Sequence, residues 1–285
     1  EKRILEKKVE ERTVEIQRQR DAIAQQRDMI RQKNMRITSS INYASHIQEA
    51  IFPSPDLINR LFPENFILSR PRDIVSGDFY WVAESKDKVV FAVGDCTGHG
   101  VPGAFLSILG ITLLNELVNV EGIIRSDILI TRFQEKLTHA LRHTGNEYLA
   151  TDGIDIALCI IDRYERRIQF TGAMNDLVFI RKSQLDVLRA NRISVSSGFE
   201  VPELFTLQEF EYQQGDLIYL FSDGYTDQFG GPRNKKFSSR RMYASLLENA
   251  ALPLPEQCLI LEQSLDEWMR GYSQTDDITV MGVRL

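Results

Sequence analysis

Along the first 52 residues one apolar position recurs every seven without a slip: Val9, Ile16, Ile23, Ile30, Ile37, Ala44 and Ile51. No Gly or Pro occurs before Pro53, and Glu, Gln, Arg and Lys dominate, so the stretch reads as one long helix. A β-branched seam of this period predicts a parallel two-stranded coiled coil. The companion core position is polar at Arg12, Gln19, Gln26, Lys33 and Ser40 and becomes apolar only at Ile47. Such a seam is weakly held and its register can shift at low cost, which suits a dimeric signalling linker. The plainer alternative is a solvated helix lying along its own domain. Tyr43, Ile47 and Ala50 add a second apolar face, which predicts docking onto the domain that follows. Pro53, Pro55 and Pro63 mark a connecting linker over 53–65.

Beyond it the period changes from seven to two. Short apolar runs bounded by turn residues predict strands at Phe79–Ala83, Val89–Val93, Ile156–Ile161, Ile168–Phe170, Leu177–Ile180, Leu217–Phe221 and Ile278–Val283. Helix-period patterns fall at 103–118 and 127–143, with one or two more between Ser239 and Arg270. Hairpin-like turns such as Asp162–Arg167 favour antiparallel pairing, so the class expected for residues 66–285 is α+β. The apolar region Phe105–Val118 is broken by Ser107, Gly110, Thr112, Asn115 and Glu116, and reads as too short and too broken to span a bilayer.

Composition changes this picture in two ways. Residues 1–52 carry 11 Lys and Arg against 8 Asp and Glu, whereas the remainder carries 23 against 32. An acidic globular part argues against nucleic acid as a partner. The three cysteines, Cys96, Cys159 and Cys258, have neither disulfide-framework nor zinc spacing and point to a reducing compartment.

The chemistry concentrates where strands meet turns. Asp78 in SGDFYWV precedes a strand; Asp95 in VVFAVGDCTGHGVPGA and Asp223 in LIYLFSDG follow strands; Asp276 and Asp277 in QTDDITVMGV precede another. In antiparallel sheets the start of one strand lies beside the end of its neighbour, so these residues can converge on one edge across 200 residues of sequence. Converging carboxylates repel unless protonated or neutralised, and all-oxygen ligands suit Mg²⁺ or Mn²⁺. Each motif alone is equally well an ordinary Asp-Gly turn.

SGDFYWV, VVFAVGDCTGHGVPGA, the Gly172-Ala173-Met174-Asn175 turn, GDLIYLFSDGYTD and TDDITVMGV resemble, in order and spacing, the SpoIIE-like branch of the protein phosphatase 2C family, over residues 66–285. The resemblance implies an αββα sandwich of two antiparallel sheets flanked by helices, with two Mn²⁺ or Mg²⁺ ions at one edge. It implies hydrolysis of phosphoserine or phosphothreonine in proteins through a metal-bridging hydroxide. Carried over, Asp95 would bridge both ions, Asp223 and Asp276 would complete one, Asp78 the other, and the Cys96 carbonyl would contribute beside Asp95. Asp277 stands where the family often has Asn and is expected to support Asp276. The better-known branch has a histidine two residues after the bridging aspartate; Thr97 stands there, and His99 two further on is a candidate general acid. The branch also implies a bacterial setting and a phosphorylated regulator of the anti-sigma-factor-antagonist type as substrate. A sensor domain is expected upstream, and a cytoplasmic location with room for tethering to a membrane sensor.

Other features weigh less. His139 and His143 have i, i+4 spacing but lack a third ligand. Asp152 and Asp155 suit an outer metal site or a turn followed by a strand. Arg233, Lys235 and Lys236, with Arg240 and Arg241, form a basic cluster that suits recruitment of an acidic phosphoprotein as well as it suits an ordinary surface loop. The rival functions are a catalytically silent phosphoprotein-binding or dimerisation module of the same fold, and a metal-dependent nuclease or small-molecule phosphatase.

Overall fold

The computed structural model describes residues 2–142, 152–196 and 205–285. It divides into two units, residues 1–46 and 47–285. In the first, helix α1 (Lys2–Ile51) begins, and it runs on through the boundary. Its seam residues Val9, Ile16, Ile23, Ile30 and Ile37 are exposed in the single chain, Ile23 to 65%.

The second unit begins before the anticipated linker. The expected docking face is not the one used, because Ile47 and Ala50 stay exposed. The last turns of α1 instead bury Gln48 and pack Ile51 and Phe52 against the core. Within 53–65 the chain forms helix α2 (Pro55–Leu61), capped by the Ser54 side chain on the Leu57 N–H with Pro at its start. The prolines there begin a helix as well as punctuate the chain.

Among the described residues thirteen strands follow: β1 (Asn65–Arg70), β2 (Phe79–Ser85), β3 (Lys88–Cys96), β4 (Gly153–Asp162), β5 (Arg167–Ala173), β6 (Leu177–Arg181), β7 (Gln184–Leu188), β8 (Val195–Ser196), β9 (Gln208–Glu211), β10 (Leu217–Phe221), β11 (Phe229–Gly230), β12 (Lys235–Lys236) and β13 (Ile278–Arg284). One sheet has the order β1-β13-β10-β6-β7; the other runs β2-β3-β4-β5-β9, with β8 on β4; β11 and β12 form a small hairpin. Every named pairing is antiparallel.

Side-chain alternation builds the layers. From β3, Val89, Phe91 and Val93 join Ile218 and Leu220 of β10 in the core between the sheets. Val90 and Ala92 point the other way, onto helices α3 (Val101–Asn115) and α4 (Ser126–Arg142). On the far side, Leu217, Tyr219 and Phe221 of β10 meet α6 (Ser239–Glu248) and α7 (Leu254–Trp268). The order is therefore helix, sheet, sheet, helix, as expected. A single helical turn, α5 (Gly224–Asp227), follows β10. The helix of α3 with its terminal π turn, Val101–Val120, is long and apolar enough to cross a membrane by length and composition, contrary to the sequence expectation. In the fold its buried positions pack on the six-stranded sheet.

Candidate metal centre

Antiparallel pairing places the acidic residues at one edge. In the six-stranded sheet Phe79 pairs with Gly94, so Asp78 at the start of β2 lies beside Asp95 near the end of β3. Asp95 is also in register with Asp155 of β4. In the five-stranded sheet Phe221 pairs with Val280, which sets Asp223 beside Asp276 and Asp277. Contact there is close: a Cβ at Gly224 would lie 1.9 Å from the Asp277 carbonyl, so only glycine fits.

Hydrogen bonds join the two sheets. Ser222 Oγ donates to Asp78 Oδ2 at 2.5 Å, and the Gly77 N–H donates to Asp277 Oδ2 at 2.7 Å. Asp223 shares a hydrogen bond with the Asp95 carboxyl. The other Asp277 oxygen accepts from the Arg72 N–H at 2.7 Å. Asp277 is thus buried and committed to backbone amides, while Asp276 is exposed and its Oδ1 accepts from the Asp277 N–H at 2.9 Å.

Electrostatics mark the cluster. Burial pushes the Asp78 carboxyl up to about 8; the Ser222 hydrogen bond opposes this, and Asp277 and Asp276 add to it. Asp95 is raised well above the ordinary carboxylate range, by burial first and then by Asp78, Asp223, Asp276 and Asp155. Asp223 is raised by burial and then by Asp227, Asp276 and Asp155. The main charges acting on these three among the described residues are carboxylates, which repel one another. Among the described residues no three His, Cys, Asp or Glu side chains already close on a single point as a cation cage. The donor set nevertheless fits hard divalent cations: it is all oxygen, running from the buried Asp78 through the half-buried Asp95 to the exposed Asp223 and Asp276. A cation there would relieve the repulsion among Asp78, Asp95 and Asp223.

The approach to the edge is a glycine loop. Gly98 and Gly100 have φ of +83° and +68°. A Cβ at Gly103 would lie 2.2 Å from the Gly98 carbonyl, so the start of α3 presses directly on this loop. The Cys96 carbonyl faces Gly77, 3.4 Å from where a Cβ there would stand. The Cys96 thiol is buried and raised well above its usual range by burial, then by Asp95, and it packs as a small apolar group.

His99 is an exposed residue of the same loop, with Nδ1 3.0 Å from Asp73 Oδ2. Arg233, Lys235 and Lys236 are exposed at the β11–β12 hairpin, and Lys236 pairs with Asp227 at 2.5 Å. Arg241 lies over the Trp268 ring at 4.1 Å. Asp155, left open between turn and site, belongs to the carboxylate cluster and is bonded by Ser194 Oγ. His139 lies on α4, and His143 falls outside the described residues. Sequence reasoning missed Ser222, Ser76 and Gln48. The serines were legible in Ser76-Gly77-Asp78 and Ser222-Asp223-Gly224, beside the aspartates, whereas Gln48 is one glutamine among many in a polar helix.

Comparison with known proteins agrees with this architecture. A family model described as Stage II sporulation protein E (SpoIIE) matches residues 85–285. Protein IcfG of Synechocystis sp. (strain ATCC 27184 / PCC 6803 / Kazusa) is 26% identical over 264 residues, covering 83% of this chain. The chain spans 40% of that relative's length. The SiaA-PP2C domain of Pseudomonas aeruginosa superposes with a TM-score of 0.80 at 31% identity, over 88% of this chain and 98% of that one. The PP2C phosphatase domain of SpoIIE from Bacillus subtilis, solved with a fragment of its regulatory domain, superposes with a TM-score of 0.63 at 22% identity. It covers 78% of this chain and 63% of that one. With its helix–sheet–sheet–helix sandwich and its acidic edge, the chain belongs to the SpoIIE family and carries a PP2C-type phosphatase domain fold.

Proposed function

We propose that this chain is a metal-dependent serine/threonine protein phosphatase acting on a phosphorylated bacterial regulator. The observation that carries the reading is the convergence of Asp78, Asp95, Asp223 and Asp276 from both sheets on one edge, with carboxylates as the charges acting on the three that are raised. Asp95, on which the charges of both Asp78 and Asp223 act, would serve both ions. Asp223 and Asp276 would hold one, and Asp78 with the Cys96 carbonyl the other. Two Mn²⁺ or Mg²⁺ ions, when bound, supply neutralisation of phosphate charge and an acidified water.

The chain's own residues supply the remainder. Ser222 and the amides of Arg72 and Gly77 hold Asp78 and Asp277 in place. Asp73 holds His99 by Nδ1, which leaves Nε2 to deliver a proton to the departing serine oxygen. Arg233 and Lys235, exposed on the hairpin after α5, would meet an acidic phosphoprotein, with an anti-sigma-factor-antagonist-like regulator as the partner class. The α1 seam would pair two copies in the cytoplasm and carry the state of an upstream sensor.

Hydrolysis of an aryl phosphate with added Mn²⁺, by the wild type and by Asp223→Asn, tests the reading. Metal-dependent turnover that disappears in the variant is expected. Failure of the wild type to bind Mn²⁺ would overturn the reading in favour of a silent binding module.

A further inference from the structure

Gln228 is fully buried where α5 ends, on the same short segment as Asp223. Its main chain is anchored: the carbonyl accepts from the Phe237 N–H at 2.9 Å and from Trp268 Nε1 at 3.1 Å. Those two rings meet edge to face at 5.6 Å, so the anchor stands on packed aromatic side chains. From there the side-chain amide reaches across to residues 273–275. Nε2 donates to the Ser273 carbonyl at 3.0 Å and to the adjacent Phe229 carbonyl at 2.9 Å. Oε1 accepts from the Thr275 N–H at 2.9 Å and from Thr275 Oγ1 at 3.3 Å. All four hydrogen-bonding positions of the amide are filled, which offsets the cost of burying it.

What this amide holds is the segment that leads into Asp276. Strands β10 and β13 pair as far as Phe221 and Val280, and the Ser222 N–H then donates to the Thr279 carbonyl at 2.9 Å. Gln228 rejoins the same two segments on the far side of both aspartates. Asp223 and Asp276 therefore sit within a loop closed at each end by hydrogen bonds. Ser273, Thr275 and Asp276 are exposed, so hydrogen bonds rather than apolar packing hold their segment. Two others assist: Arg72 Nη1 donates to the Thr275 carbonyl at 3.0 Å, and Gln274 Nε2 to the Asp276 carbonyl at 2.8 Å. Of these three holds, Gln228 alone starts from the segment that bears Asp223.

We infer that Gln228 is a positioning residue for the ion that Asp223 and Asp276 would share. It fixes the spacing of the two segments that bear those carboxylates. The inference rests on the phosphatase reading of the acidic edge. It deepens that reading by naming a side chain that sets the distance between two ligands while itself facing the core.

Two readouts on the metal-stripped chain test it: calorimetric titration with Mn²⁺, and hydrogen exchange of the Thr275 amide. Gln228→Met keeps the length and removes all four side-chain bonds; Gln228→Asn keeps a buried amide and shortens its reach by one carbon. Tyr219→Phe, which removes a buried 2.6 Å bond to Gln257 in the core against α7, is the control for general destabilisation. Gln228→Met is expected to weaken Mn²⁺ binding about 10–100-fold, the range for groups that orient metal ligands. It should also speed exchange at Thr275, with Tyr219→Phe unchanged in both. Added to Asp276→Asn, where the carboxylate is already lost, Gln228→Met should weaken binding far less than in the wild type, because both act on one ligand. Wild-type affinity in Gln228→Met, a loss no larger than in Tyr219→Phe, or an undiminished loss beside Asp276→Asn would overturn the inference alone. If Gln228→Met does not fold, Gln228→Asn decides the same three comparisons. A wild type that binds no Mn²⁺ would overturn the phosphatase reading and this inference with it.

Discussion

Among the described residues of the first 46 none is buried, whereas residues 47–285 enclose three apolar cores separated by two sheets. The difference shows how each part is stabilised. A helix satisfies its backbone hydrogen bonds within its own segment, so α1 needs no tertiary contact to exist, only good formers and length. Its exposed isoleucines contribute nothing until something covers them. The sandwich gains its stability from burial between layers, and at its acidic edge it forgoes some of that gain. There, like charges are held together and raise one another's pKa.

This contrast can be broken by experiment. The largest effect is expected from pH in the absence of metal, because several carboxylates act together. The Asp78 pKa is raised from an ordinary 3.8 to about 8, so the folded state holds a proton that the unfolded state has released. The stability tied to this group is full below about pH 4 and is lost as pH rises towards about 8. The difference in Tm between wild type and Asp78→Asn, followed in EDTA from pH 5 to pH 8, should shift against the wild type as pH rises. A difference that stays flat would refute the assignment.

Next comes Phe91→Ala. The ring is fully buried between the sheets, and its loss should cost about 3–5 kcal/mol in denaturant unfolding. Asp277→Ala strands the Arg72 and Gly77 amides and should cost about 1–3 kcal/mol for each that stays buried. Smallest is Ile23→Ala, expected within about 0.5 kcal/mol in dilute solution. Ile23→Asp with Ile30→Asp should leave the sandwich's unfolding unchanged and abolish any concentration-dependent dimer in sedimentation. If the single Ile23→Ala substitution in dilute chain cost as much as Phe91→Ala, the two regions would not differ in the way described.

Periodicity carried α1 and the central strands, because a strand buried on both faces, such as β3 or β10, needs an unbroken apolar run and announces itself. The edge strands β7 and β9 were missed for the converse reason: QLDVL and QEFE are half-exposed, and pairing rather than composition makes them strands. Helix α2 was hidden among prolines, of which Pro55 serves its first turn.

The sequence by itself determined the long helix, the antiparallel class and the aspartates at strand ends, since each depends on residues adjacent in the chain. Only the tertiary structure decided that Asp277 faces inward to two amides while Asp276 stays exposed, that Asp155 joins the cluster, and that Gln48 rather than Tyr43 or Ile47 is buried where α1 ends. Those outcomes rest on hydrogen bonds between residues 28 to 205 positions apart, and no local pattern encodes a partner at that distance.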